Sequence, residues 1–175
     1  MNNHKNLFLS INYLQKGTPR QQEAYHLLTE HSVMERLKLY TPILTGTIPL
    51  SIDIDTSDLD IICCYKDAAE FRDCLQQFAS YPEYKLEEKD IHQQPSIIAS
   101  FRLESFPVEI FGQKLPVTEQ QSYRHLLIEN RILLLMGDTF KDHVIKLKQQ
   151  GIKTEPAFAQ LLGLEGDPYE AILKV

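Results

Sequence analysis

The chain has 175 residues, a hydrophobic fraction of 43%, a charged fraction of 24% and a net charge of −6. That length suits one domain, or a core with a small helical appendage, able to bury a core without disulfides or a structural metal. The acidic balance disfavours indiscriminate binding to duplex nucleic acid or to anionic membrane. No stretch approaches the ~20 apolar residues of a membrane span. The opening Met1-Asn2-Asn3-His4-Lys5 is not followed by the apolar run of a signal peptide, so a cytoplasmic protein is expected.

Leu7 to Leu14, followed by Lys16-Gly17, predicts a short helix with a glycine stop. Thr18-Pro19 opens a second helix with proline in its first turn and Ala24, Leu27 and Leu28 on one face. Met34 to Tyr40 fits neither period. Pro42 to Thr45 reads as a short strand ending at Gly46. The segment from Ile48 to Ile54 reads as a hairpin arm or an irregular loop, and Ile48 to Ile52 as extended, because Pro49 pushes Ile48 away from helical geometry.

Leu59 to Tyr65 is apolar on both faces, as a central strand requires. Asp67 caps a helix running to Ser80, with Ala68, Phe71, Leu75 and Phe78 at helical spacing. Three strands follow, from Tyr81 to Leu86, Ser96 to Leu103 and Phe106 to Phe111, the last ended by Gly112. Glu87-Glu88-Lys89-Asp90 between them reads as a solvated turn. From Glu119 the pattern is helical: Gln120 to Leu135, Asp138 to Lys148, and short helices near Pro156–Leu162 and Asp167–Leu173. Gly137, Gly151 and Gly166 fall at their ends. The plan is α+β, with a core over 1–115 and a helical extension over 116–175.

Asp58 and Asp60 are two residues apart on a predicted strand, so their carboxylates leave one face roughly 7 Å apart. Such a pair repels itself and favours a hard divalent cation such as Mg²⁺, which takes carboxylate oxygens and keeps waters for phosphate to replace. Glu109 interrupts the apolar Val108–Ile110 alternation and supplies a third carboxylate if its strand lies alongside. Three carboxylates suffice for one or two metals, which can clamp the attacking and leaving oxygens of a nucleotidyl transfer. The alternative for Asp58 and Asp60 is a capping or turn pair. Gly46-Thr47 permits close backbone approach to a phosphate.

Leu44-Thr45-Gly46-Thr47, ten intervening residues, Asp58-Leu59-Asp60-Ile61 and the later Val108-Glu109-Ile110 together resemble the nucleotidyltransferase superfamily associated with DNA polymerase β. The resemblance implies a mixed sheet flanked by helices, with Asp58, Asp60 and Glu109 as catalytic metal ligands. It implies Gly46 and Thr47 at the phosphates of a nucleoside triphosphate; Ser57 and Arg124 are further candidates for nucleotide binding. Two features depart from the family pattern: Thr47 replaces the usual Gly or Ser, and no helix is expected after the turn. Across its length the chain is also similar to a small bacterial domain-of-unknown-function family near that superfamily, through Gly46–Pro49, Ser57–Ile61 and Lys153–Phe158.

Arg102, Lys114, Arg124 and Arg131 are the candidate cations for a triphosphate. Arg124, His125 and Glu129 suit either a cleft wall or a solvated helical face with a surface ion pair. The histidines His26, His31, His92 and His143 lack metal-ligand spacing. Cys63, Cys64 and Cys74 read as packing residues, Asp53 and Asp55 as solvated loop acids, and Phe158 and Tyr169 as pins for the C-terminal helices. The expected function is Mg²⁺-dependent nucleotidyl transfer to a hydroxyl of a small molecule or protein, rather than to long duplex nucleic acid. The alternatives are a binding or regulatory module that kept the fold without the chemistry, and a toxin- or antitoxin-like partner protein.

Overall fold

The structure is a computed structural model and describes residues 7–91 and 93–175. The readings made of Met1 to Lys5 and of His92 lie outside the described residues. Among the described residues no helix is long and apolar enough to cross a membrane.

Five strands form one mixed sheet: β1 (Ile43–Thr45), β2 (Leu59–Cys64), β3 (Lys85–Ile91), β4 (Gln94–Leu103) and β5 (Phe106–Gln113), in the order β1-β2-β5-β4-β3. Only β2 and β5 run parallel. A helix is needed between β2 and the returning antiparallel strands, and Asp67 starts it. Its carboxylate accepts the Ala69 and Glu70 N–H groups at the head of the third helix (Ala68–Leu75), as its sequence predicts.

The strands sort their side chains by period two onto two cores. On one face Leu59, Ile61, Ala99, Phe101, Val108 and Ile110 pack with the first helix, α1 (Pro19–Glu30), and with the helix at Ala68–Leu75, called α3. Between them a single turn, α2 (Val33–Arg36), occupies part of the segment that fitted neither period. On the other face Ile43 and Ile62 meet the C-terminal helices α4 (Gln121–Gln149), α5 (Thr154–Leu162) and α6 (Pro168–Ile172). α4 breaks at Gly137, whose φ of 75° and ψ of −172° leave the helical region, so the two expected helices meet at that glycine. The result is an α+β fold with a helical C-terminal third.

Several elements differ from expectation. Leu7–Leu14 does not form a regular helix; the turn is a 3₁₀ segment at Asn12–Lys16 that buries Leu14. The strand expected to begin at Tyr81 begins at Lys85, and the acidic run Glu87–Asp90 lies inside it rather than in a turn. β3 is a sheet edge, and its charged side chains keep that edge solvated and deter pairing with another chain. Ile48–Ile52 is not extended. Leu50 and Ile52 both donate N–H to the Thr47 carbonyl at 3.2 Å, and Ser51 is left-handed at φ 54°. Burial of Ile48, Leu50 and Ile52 pulls the segment inward as a tight turn. Proline suits such a turn because its φ is already set.

That turn is tied to α1. Thr18 and Gln21 cap the helix reciprocally, at 3.2 and 3.0 Å, and the buried Gln21 amide donates to the carbonyls of Ile48 at 2.8 Å and Pro49 at 3.2 Å. One residue therefore starts the helix and anchors the turn.

Gly112 does not end β5. A Cβ there would stand 2.1 Å from the Phe71 ring, so glycine lets α3 sit against the sheet. Gly112→Ala should lower stability by about 1–3 kcal/mol, the cost of overpacking, measured by urea unfolding; an unchanged midpoint would contradict this packing.

Candidate active site

The register of the sheet assembles the acids. Thr45 of β1 lies opposite Asp60 of β2, and Asp60 pairs with Glu109 of β5. Asp60 and Glu109 leave the sheet on the side facing the C-terminal helices, since Leu59, Ile61, Val108 and Ile110 enter the other core. Asp58 lies just before β2 rather than on it, exposed, two residues from Asp60. All three line a cavity of about 1010 Å³ between sheet and helices, together with Gly46, Thr47, Ser57 and Arg124.

Gly46 is held there by sterics. Its φ is +76°, and a Cβ would stand 2.2 Å from Oδ2 of Asp60. A side chain at this position would meet both a strained backbone and a carboxyl group. The first turn residue and the central acid are thus in direct contact.

Burial first, then the charges of Asp58 and Glu109 and a hydrogen bond to Asp58, push the Asp60 carboxyl up to about 8. Burial and the Asp58 charge likewise raise Glu109. Among the described residues no three His, Cys, Asp or Glu side chains stand close enough to hold an ion at once. The donor set nevertheless suits a hard divalent cation: carboxylates only, in one cavity, with Asp60 retaining a proton for want of positive charge.

The loop between turn and strand is closed by Ser57. Its Oγ accepts the Thr47 hydroxyl at 3.1 Å and the Ile54 N–H at 3.0 Å. The Thr47 and Ser57 side chains are therefore engaged with each other at the cavity wall.

Arg124, His125 and Glu129 stand on the cleft wall rather than on a solvated face. His125 and Glu129 are buried, not solvated, and His125 pairs with Glu155 of α5 at 3.4 Å rather than with Glu129. Its other ring nitrogen lies 2.9 Å from the Tyr169 carbonyl. Burial opposes the charged ring, but the Glu155 and Tyr169 hydrogen bonds and the Glu155 charge outweigh it and raise His125. Lys148, absent from the sequence candidates, is buried and donates from Nζ to the Ile52 carbonyl at 2.9 Å. Burial pulls it down to about 8, against the opposing charges of Asp53, Glu129, Asp58 and Glu155. Of the four cations expected near the acids, Arg124 lines the cavity and Arg102, Lys114 and Arg131 do not. Arg102 instead pairs with Glu83 at 3.1 Å. A buried lysine near the end of a helix carries no periodic signature, and only its apolar neighbours Val144, Ile145 and Leu147 hint at burial.

The family described as Domain of unknown function (DUF4269) matches residues 26–175, and the chain belongs to that family. No curated protein matches it in sequence. Among solved structures it is similar to a mutant of the Cid1 poly(U) polymerase bound to MgATP. There the TM-score is 0.54 at 12% identity, over 87% of this chain and 48% of that one. Cid1 in complex with its short product ApU aligns with a TM-score of 0.52 at 11% identity, over 87% and 46%. Cid1 with the UTP analog UMPNPP gives 0.51 at 14%, over 74% and 39%. These likenesses show a nucleotidyltransferase-like fold, and the chain spans less than half the length of each of those structures.

An Asp60 pKa raised to about 8 has a definite sign for stability. Below pH ~4 folded and unfolded chains both hold the proton; between ~4 and 8 only the folded chain does, so stability falls as pH rises through that window. Without added metal at pH 8, Asp60→Asn should raise Tm by about 2–4 °C, the shift of ~1 kcal/mol in a domain of this size. The gain should vanish at pH 4; a lower Tm at pH 8 would show that the carboxylate stabilises the fold.

Proposed function

We propose that this member of the family is a nucleotidyltransferase. It would move a nucleotidyl group from a nucleoside triphosphate to a hydroxyl of a small molecule or protein. The observation that carries this reading is the contact of Gly46 with Asp60, beside Glu109, in one cavity. It brings a turn open to phosphate against a cluster of carboxyl groups.

Asp58 and Asp60 would hold Mg²⁺, with Glu109 as a further ligand or as the base toward the acceptor. The metal would supply charge neutralisation for the attacking and leaving oxygens. The acceptor oxygen attacks the α-phosphorus, its proton goes to Glu109, and pyrophosphate leaves. The backbone at Gly46 and Thr47 cradles the β- and γ-phosphates, with Ser57 fixing the loop. Arg124 offers positive charge at the cavity wall. Lys148 is held at the turn through Ile52.

The described residues up to 115 would make the core that carries the acids, and residues 116–175 the appendage that closes the cavity over them. The resulting cavity suits a small acceptor or a protein side chain better than duplex nucleic acid. A nucleoside triphosphate as substrate fits a cytoplasmic protein.

A second reading, a nucleotide-binding or regulatory protein without transfer, draws on the tight turn where a helix would otherwise receive the phosphates. It also draws on the Thr47 hydroxyl being occupied by Ser57. Transfer and binding separate experimentally. A thermal-shift panel of nucleoside triphosphates with Mg²⁺ or Mn²⁺ should raise Tm under either reading. Under the transferase reading, pyrophosphate release should accompany binding. Glu109→Gln should then slow it about 10²–10⁴-fold, and Asp58→Asn should abolish it with the fold intact. Absence of any ligand-induced shift in the wild type would refute both readings.

A further inference from the structure

Glu129 is 4% exposed and lines the cavity, yet its Oε1 meets no hydrogen-bond partner. A buried acceptor left alone is a standing cost to folding. A leucine at this position, on the half of α4 that also buries Leu126 and Ile132, would avoid that cost. The polar groups around it are already engaged: His125 with Glu155 and Tyr169, and Lys148 with Ile52. Burial, then the Glu155 charge, raises the Glu129 carboxyl well above the usual carboxylate range, against Lys148. Oε1 is a buried carboxyl oxygen left open to a hydrogen bond from a ligand N–H or O–H.

Its position says which end of a ligand it meets. Glu129 stands on the α4 wall of the cavity, whereas Asp60 and Glu109 stand on its sheet. With phosphates at the turn and the acceptor at Glu109, the group left to reach the helical wall is the nucleoside.

We propose that Glu129 is a specificity-determining residue for the donor nucleotide, its Oε1 accepting a hydrogen bond from a base N–H or a ribose hydroxyl. This assignment rests on the nucleotidyl-transfer reading.

The test is calorimetric binding of MgATP and of Mg²⁺-tripolyphosphate to the full chain and to Glu129→Gln and Glu129→Leu, with Tm measured alongside. Glu129→Gln keeps a carbonyl acceptor and should bind MgATP as the wild type does. Glu129→Leu should lose roughly tenfold in MgATP affinity, the worth of one such hydrogen bond. It should bind tripolyphosphate unchanged, and its Tm should hold or rise. Two analogues separate the sources: purine riboside triphosphate lacks the base amino group, and 2′,3′-dideoxy-ATP lacks both hydroxyls. Whichever group Oε1 receives, its removal should cost the wild type the same tenfold and cost Glu129→Leu nothing. Unchanged MgATP affinity in Glu129→Leu overturns the assignment alone. So does an equal loss for MgATP and tripolyphosphate, or a lowered Tm, because each marks a structural role. A wild type that binds neither ligand overturns the transfer reading and this assignment with it.

Discussion

The candidate site depends on one contact, between the backbone of Gly46 and the carboxyl of Asp60. It arises because β1 pairs with β2 in a register that sets Thr45 opposite Asp60, which leaves the next residue directly over the carboxyl group. Any β-carbon at position 46 would collide with Oδ2, and the left-handed φ adds a second reason for glycine. From there the geometry propagates. The parallel pairing of β2 with β5 brings Glu109 alongside. Gln21 ties the turn to α1, and Lys148 ties it to α4.

Much of this was legible in the sequence because it is local or periodic. The strand at Asp60 was read one residue too early, since Asp58 precedes it, but the odd acid in Val108-Glu109-Ile110 marked a polar position on an apolar strand, and Thr18-Pro19 and Asp67 announced their helices. The alternation in β5 likewise sent Val108 and Ile110 into the first core.

What could not be read depends on partners distant in sequence. Glu87 to Asp90 looked like a turn because a charged run has no apolar face, and nothing local says that it borders a sheet. Ile48 to Ile52 looked extended because Pro49 disfavours a helix; burial of three alternate apolar residues folds it instead. The i,i+4 spacing of His125 and Glu129 is equally compatible with solvent and with a cleft wall. The break at Gly137 and the return of α5 enclose them. Lys148 escaped notice for the same reason. The helical wall therefore emerges only from the tertiary arrangement, whereas the acidic face was visible beforehand.

The two sides of the cavity share a physical character. Asp60 holds a proton it would shed in water, Lys148 is drawn toward neutrality, and Glu129 keeps a buried oxygen without a partner. Each is a cost that a folded chain without ligands has no reason to carry, and a divalent cation with a nucleoside triphosphate would relieve all three. The most direct measurement is an electron paramagnetic resonance titration of Mn²⁺ into the protein with and without a non-hydrolysable nucleoside triphosphate. The account predicts that the nucleotide markedly tightens Mn²⁺ binding to the wild type and that a folded Asp58→Asn/Asp60→Asn variant retains none of that gain. Equal Mn²⁺ binding by wild type and double variant would contradict it.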